Sequence, residues 1–336
     1  MTKLYMEHPG KVIETGGMFT HVMAITLDPT SNNRRGVARC ITSREGDVQV
    51  KGYVDRSKLY LIEGDSLEKF KLIKPLVIAG ETEIISILTP EGWDFIGLED
   101  PDIWAEDSTG LIHLYFTIPI KPLNKKLGKM KIHLGHAVGK TLDTLVMTEP
   151  VLFDNIKLSA KEVSIAPVNS QGFRYNLVES RDRTGSTTYS TVHAAIVHDM
   201  GKKWEYGDIA FHPHTNKIPW IAGHASPGPL LPRTFIDLGP GKLLGIMNGR
   251  EANQQIGTET KYGVFAVGLF IYNFEEGKIE WVSPQPLIID SEAVAITFAS
   301  QFLETQPGEG IVYAHVDDSF VRAYTIKSSE IRKLLP

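Results

Sequence analysis

The sequence predicts an all-β fold, and within that class a five-bladed β-propeller, on three observations. Short strand-like runs are separated by turn chemistry, almost nothing has helical periodicity, and a weak internal repeat recurs at a spacing of about 70 residues. The runs at 112–118, 173–178, 311–316 and 320–326 are rich in β-branched and aromatic residues. Arg44-Glu45-Gly46, Ser108-Thr109-Gly110, Ser170-Gln171-Gly172, Glu275-Glu276-Gly277 and Pro307-Gly308-Glu309-Gly310 supply the turns between such runs. The apolar stretch 262–272 is about half as long as a bilayer-spanning helix and is broken by Gly263 and Gly268, so it reads as a buried strand. A helix is expected only at 328–335, where Ser328 or Ser329 caps a run containing Glu330.

The repeat fixes the blade count. Gly64-Asp65-Ser66-Leu67-Glu68-Lys69-Phe70 and His198-Asp199-Met200-Gly201-Lys202-Lys203-Trp204 share an Asp-to-aromatic spacing. Lys74-Pro75-Leu76-Val77, Glu149-Pro150-Val151-Leu152 and Gln285-Pro286-Leu287-Ile288 repeat a second element. In a chain of 336 residues this period gives about five units, and radial repetition leaves only short protected edges. A β-sandwich is the other arrangement such strands allow. With no linker or composition break, residues 1–336 are expected to form one domain.

Composition excludes several functions. A hydrophobic share of 42% rules out disorder for most of the chain. A net charge of −5 leaves no basic excess for nucleic acid, and the lysine-rich stretch 121–131 reads as a solvated loop. The single cysteine, Cys40, makes no internal disulfide and no zinc site. His212-Pro213-His214, His224, His133 and His136 lack an evident third ligand and second shell, so neither metal nor cofactor is expected. His113 reads as an interior histidine, and Trp93, Trp104 and Trp220 as large aromatics that pack in the core or between blades or, near a funnel mouth, offer a stacking face. The opening Met-Thr-Lys-Leu-Tyr-Met-Glu-His-Pro-Gly lacks the apolar stretch of a leader, so the expected location is cytoplasmic, with no membrane partner. The sequence is silent on oligomeric state.

The chemistry concentrates in Phe95-Ile96-Gly97-Leu98-Glu99-Asp100-Pro101-Asp102-Ile103-Trp104. Three carboxylates within four positions, flanked by apolar residues, raise one another's pKa, as a general acid at neutral pH requires. On an ideal strand Asp100 and Asp102 share a face and Glu99 points away. The bland alternative is an exposed acidic turn around Pro101.

Gly97-Leu98-Glu99-Asp100-Pro101 resembles the Gly-[Leu/Val]-Glu-Asp-Pro-Arg signature of glycoside hydrolase family 130, the mannoside phosphorylases and mannosidases, whose fold is a five-bladed β-propeller. Val37-Ala38-Arg39-Cys40, Lys161-Glu162-Val163-Ser164-Ile165-Ala166-Pro167, His224-Ala225-Ser226-Pro227-Gly228-Pro229-Leu230, Leu243-Leu244-Gly245-Ile246-Met247-Asn248-Gly249 and Tyr313-Ala314-His315-Val316-Asp317-Asp318 resemble further family segments in the same order. The resemblance implies that Asp100 is the catalytic acid, acting through a sugar hydroxyl, and that Arg39 and Asp318 hold the sugar. Glu99, Asp102, Lys161 and Asn248 complete the implied contacts.

The departures carry equal weight. The signature's arginine is Asp102, and two basic residues that bind phosphate in the family's phosphorylases fall on Ser180 and Asn248. Losing them removes charge-assisted contacts from an anion site, unless Arg181 or Arg174 substitutes. Water then attacks, and Glu162, Glu179 or Glu251 is the candidate base, the first two ahead of the third. The expected function is inverting hydrolysis of a β-linked, mannose-type oligosaccharide. A phosphorylase with a rearranged phosphate site and a non-catalytic sugar-binding propeller are the alternatives.

Overall fold

A computed structural model describes residues 4–155 and 157–336. Five four-stranded antiparallel blades follow in chain order. Blade I is His21–Leu27, Arg35–Glu45, Val54–Ser66 and Lys69–Pro75. Blade II is Glu99–Glu106, Leu111–Pro122, Lys131–Gly139 and Val146–Met147. Blade III is Lys161–Ser164, Arg174–Thr184, Thr187–Val197 and Glu205–Phe211. Blade IV is His224–Leu230, Lys242–Arg250, Phe265–Asn273 and Lys278–Val282. Blade V is Thr297–Gln306, Glu309–Val316 and Phe320–Lys327, and the early strand Tyr5–Glu7 adds its fourth member beside Phe320–Lys327. The first and last blades are thereby stitched together.

The repeated sequence elements mark the outer edges of the blades. Asp65–Phe70 turns between the third and fourth strands of blade I, and Asp199–Trp204 does so in blade III. Pro75 ends an outer strand, and Pro150 and Pro286 follow shortly after one.

Apolar packing explains why the strands read as continuous runs rather than alternating ones. Leu114 and Phe116 face blade I, joining Val37, Leu59 and Leu61. Tyr115, between them, faces blade III with Val178 and Ala195. Equivalent clusters fill the remaining interfaces: Leu177 with Met247, Ile246 with Val312, and Ile25 with Tyr313. Each middle strand is buried on both faces, which a sandwich with one solvated face per sheet does not require. Cys40 lies in the blade V–I interface, and burial pushes its thiol up to about 12, so it is inert.

Two helices depart from expectation, the single turn Pro213–Asn216 and a longer one. Glu81–Leu88 links blades I and II, although its isoleucines and threonine are ordinary helix formers at best. Tertiary packing supports it, since Ile85 buries against the cluster of Leu76, Ile78 and Met147. The chain ends in the short helix Ser328–Ile331 followed by a 3₁₀ turn at Arg332–Leu334. Among the described residues no helix is long and apolar enough to cross a membrane.

Candidate active site

The inner ends of all five blades enclose an axial cavity of about 490 Å³. Blade I brings Arg39 and Tyr53, blade II Glu99 and Asp100, and blade III Lys161, Glu162 and Glu179. Blade IV brings His224 and Arg250, with Tyr262 from the connection before its third strand, and blade V brings His315 and Asp318. A ring of innermost strands delivers polar groups from distant sequence positions to one point, which is how an acidic chain with no local catalytic motif assembles a site.

Backbone bulges aim the key side chains. The register slips between Met23 and Ile25, between Glu99 and Asp102, between Lys161 and Val163, and between Ala299 and Gln301. The innermost strands of four blades therefore share one irregularity. Asp100 and Glu162 sit at these bulges with φ of 47° and 48°, a left-handed conformation that non-glycine residues rarely hold. The bulge overrides the alternation of an ideal strand. Glu99 and Asp100 both turn to Arg39, and Asp102 is sent elsewhere. Arg39, Thr117 and Glu179 occupy one register position in three successive blades, opposite the residue that precedes each bulge.

Gly97 makes this geometry possible. Its φ is +130°, and a Cβ there would lie 2.1 Å from the Ser57 carbonyl oxygen. Ser57 binds the same segment by donating its hydroxyl to the Leu98 carbonyl at 2.9 Å. The residues before the acid thus press directly on blade I.

The cavity has three electrostatic regions. In the first, buried Arg39 donates from Nη1 to Asp100 Oδ1 at 2.8 Å and from Nη2 to Glu99 Oε1 at 2.6 Å. Burial raises the Glu99 pKa to about 7 against the pull of Arg39, with the Asp100 charge adding to the rise. Burial and then the Asp100 charge push Glu162 well above the usual range, and the two carboxyls share a hydrogen bond.

The second region is Asp318. Tyr53 donates its hydroxyl to Oδ2 at 2.8 Å, and His315 Nδ1 lies 2.9 Å from Oδ1. Burial opposes ionisation, yet His315, Tyr53 and the Arg39 charge hold Asp318 below the usual carboxylate range. The His315 ring stacks on Phe298 with centroids 5.1 Å apart.

The third region is Glu179, with His224 Nε2 at 3.1 Å and Lys161 Nζ at 3.6 Å. Burial again opposes ionisation, but His224 and Lys161 outweigh it and bring its pKa down to about 2. Arg250 stands nearby with its guanidinium 4.1 Å from the Tyr262 ring centre, and no ion pair includes it among the described residues.

The sequence-derived candidates separate on this frame. Arg39, Glu99, Asp100, Lys161, Glu162, Glu179 and Asp318 all line the cavity. Asn248 does not: its amide donates to the Ala299 carbonyl at 2.9 Å and accepts from the Ala299 N–H at 2.8 Å, pinning blade IV to blade V. Glu251 is exposed, accepts weakly from the Val264 N–H, and does not line the cavity. Asp102 lines a second cavity beneath the first. Arg181 reaches the wall but is held by Asp154 at 2.9 Å, and Arg174 is outside, bonded to the Ala166 carbonyl.

The tryptophans are also elsewhere. Trp220 is a core residue donating to the Ser283 carbonyl, Trp93 stacks under Lys131, and Trp104 borders the lower cavity. The aromatic walls are instead Tyr53, Tyr262, Phe265 and Phe298. Sequence reasoning passed over Tyr53, His224, Arg250 and His315 as site residues. His224 and His315 carried a signal, each in a segment already singled out, His224 opening one and His315 standing three positions before Asp318 in another. Among the described residues no group of three His, Cys, Asp or Glu is arranged for a metal ion.

No family model and no curated protein matches the sequence. Solved structures do match the fold. A β-1,2-mannobiose phosphorylase from Listeria innocua, in complex with β-1,2-mannobiose, aligns over 94% of this chain and 92% of its own at 13% identity, with a TM-score of 0.63. A glycosyl hydrolase from Bacteroides ovatus aligns over 91% and 84% at 16% identity, with a TM-score of 0.61. MPT-4, a mannose phosphorylase from Leishmania mexicana, in complex with phosphate ion, aligns over 98% and 91% at 14% identity, with a TM-score of 0.56. At such identities the likeness is one of fold, and it agrees with the family resemblance read from the Gly97–Pro101 motif: this chain is a five-bladed β-propeller of the architecture found in mannoside phosphorylases and glycosyl hydrolases.

Proposed function

We propose that the axial cavity cleaves a β-linked, mannose-type oligosaccharide by inverting acid–base catalysis. One observation carries the reading: two carboxyls in contact, Asp100 and Glu162, and a third that Lys161 and His224 hold, Glu179, line the same cavity, with burial raising the Glu162 pKa and the partners lowering that of Glu179. Environments that push carboxyl pKa values apart assign an acid and a base. Asp100 gives the proton to the glycosidic oxygen, directly or through a sugar hydroxyl, and Glu162 shares that proton in the resting site.

Glu162 is in hydrogen-bond contact with Asp100, which leaves no room for water between them. An inverting enzyme needs that space, a separation of about 6.5–9.5 Å. Glu179 is therefore the base, ionised at working pH and oriented by Lys161 and His224. Asp318, Tyr53 and Arg39 offer acceptors and donors for sugar hydroxyls, and the Phe298–His315 stack offers a flat wall. The mannobiose in the complex of a similarly folded phosphorylase supports the sugar class.

Arg250 supports a second reading. Arg250 and Lys161 are cations able to hold phosphate, and His224, whose pKa burial lowers, adds a hydrogen-bonding ring, which makes a phosphorylase with a rearranged anion site. Glu179 counts against it, since a fixed carboxylate already sits between Lys161 and His224 and repels a dianion. Manno-oligosaccharides and aryl glycosides, incubated with and without phosphate, decide the matter. The expected product is free sugar in phosphate-free buffer, and millimolar phosphate changes the rate by less than about twofold. A sugar 1-phosphate formed at a rate that saturates in phosphate establishes the second reading. Oligosaccharide binding without turnover makes the protein a binding module.

A further inference from the structure

Beneath the Asp100–Glu162 pair the propeller axis holds a second cavity of about 160 Å³. Asp100, Glu162, Phe298 and His315 line both cavities, so the carboxyl pair is part of the partition between them. Liquid water takes about 30 Å³ per molecule, so the lower cavity admits a short file of waters.

Asp102 is the remaining carboxyl on this lower cavity, and no lysine or arginine lines it. The residue is half-buried rather than fully enclosed. The neighbouring Ile103 N–H lowers its pKa slightly but donates its hydrogen bond to Thr26 Oγ1 at 2.9 Å, and no ion pair includes Asp102 among the described residues. Tyr115, opposite it in the blade, gives its hydroxyl to the Met200 carbonyl and does not neutralise it. Asp100, Glu162 and His315 are the titratable groups facing it across the cavity. A carboxyl placed this way binds no cation and holds no neighbouring strand.

We propose that Asp102 is a proton-exchange residue, which returns a proton from solvent to the Asp100–Glu162 pair after each turnover. The inference rests on the reading of Asp100 as the acid. Cleavage moves the pair's proton onto the leaving glycosidic oxygen, while Glu179 takes one from the attacking water. Both sugars leave neutral, and Glu179 releases its proton through the upper mouth. The Asp102 carboxylic acid then protonates the pair through water and regains a proton from solvent. Only protons move, and their number is conserved. Burial raises the Asp102 pKa to about 7, so both of its forms exist near neutrality.

Two measurements test this. Carbon-13 NMR of aspartate-labelled protein reads the Asp102 carboxyl, assigned by its loss in Asp102→Asn. Its midpoint is expected near 7 and should fall by at least about half a pH unit in Asp100→Asn, which removes the facing carboxylate that Arg39 holds. In steady-state assays Asp102→Asn should lose about tenfold or more in kcat, with KM within about twofold. That loss should deepen above neutral pH and be restored by millimolar imidazole, a small proton carrier that a merely structural defect would ignore. An active wild-type enzyme whose Asp102 titrates near 4, indifferent to Asp100, overturns the relay alone. So does an Asp102→Asn defect that is independent of pH and of imidazole. A wild-type protein that cleaves no glycoside overturns the proposed function and the relay with it, so the two failures are distinct.

Discussion

Asp100 and Glu162 show how two acidic side chains acquire roles that neither has alone. Each stands at a left-handed bulge of adjacent blades, and burial with the Asp100 charge pushes the Glu162 pKa well above the usual carboxylate range. Replacing Asp100 by Asn preserves shape and Arg39 contact but removes the transferable proton. Turnover on manno-oligosaccharides should fall by about 10²-fold or more while binding persists; turnover near wild type moves the acid elsewhere. The same residues set a pH dependence of stability. Glu99 and Glu162 have folded pKa values above their unfolded value of about 4.3, so the stability they support is complete below that value. It declines as pH rises towards about 7, the folded value for Glu99. Glu179 and Asp318 act oppositely, contributing above their unfolded values and losing it as pH falls towards their depressed folded ones. Thermal melts of Glu162→Gln should therefore match wild type near pH 4 and exceed it at pH 8; a constant offset across that range refutes the assignment.

At the scale of the element, the innermost strand of blade II depends on one close approach. Gly97 lets the chain pass the Ser57 carbonyl before the bulge turns Glu99 and Asp100 to Arg39. Alanine at this position meets both an unfavourable φ and a backbone clash. Gly97→Ala should cost more than about 1 kcal/mol in denaturant unfolding and lower kcat by about 10²-fold through misplacement of the acid. Unchanged kcat would mean that the approach to blade I does not position Asp100. The helix Glu81–Leu88 illustrates the opposite dependence, since packing rather than local preference maintains it.

At the scale of the molecule, ring closure rests on the strand Tyr5–Glu7 and on one buried arginine. Arg322 joins Glu7 at 2.7 Å, Asp290 at 3.1 Å and Glu292 at 2.6 Å, tying the closing strand to the segment that enters blade V. Removing it strands the Asp290 carboxylate, whose side chain has 0% exposure, without its cation. Arg322→Met should destabilise the fold by about 3–5 kcal/mol, with faster amide exchange first along Tyr5–Glu7 and Phe320–Lys327. Exchange that quickens uniformly over all five blades would show that closure is not the weak point.

Periodicity, turn chemistry and the spacing of outer-edge segments were enough to determine an all-β chain with five units, because these are local consequences of which residues neighbour one another. The runs at 112–118 and 311–316 are apolar on both faces because each blade is packed between two others, and that pattern is written directly in the chain. The acidic motif around Asp100 was legible for the same reason. The direction of its side chains was not. A bulge displaces them by one residue, and that displacement depends on Ser57, Arg39 and the neighbouring blade. Asn248 and Glu251 lay near the expected place in sequence, yet one is spent on Ala299 and the other faces solvent. Which glutamate stays ionised, which carboxyl keeps a proton, and whether Arg250 and His224 reach the cavity were decided only by the tertiary structure, since burial and charge at a propeller axis are sums over all five blades.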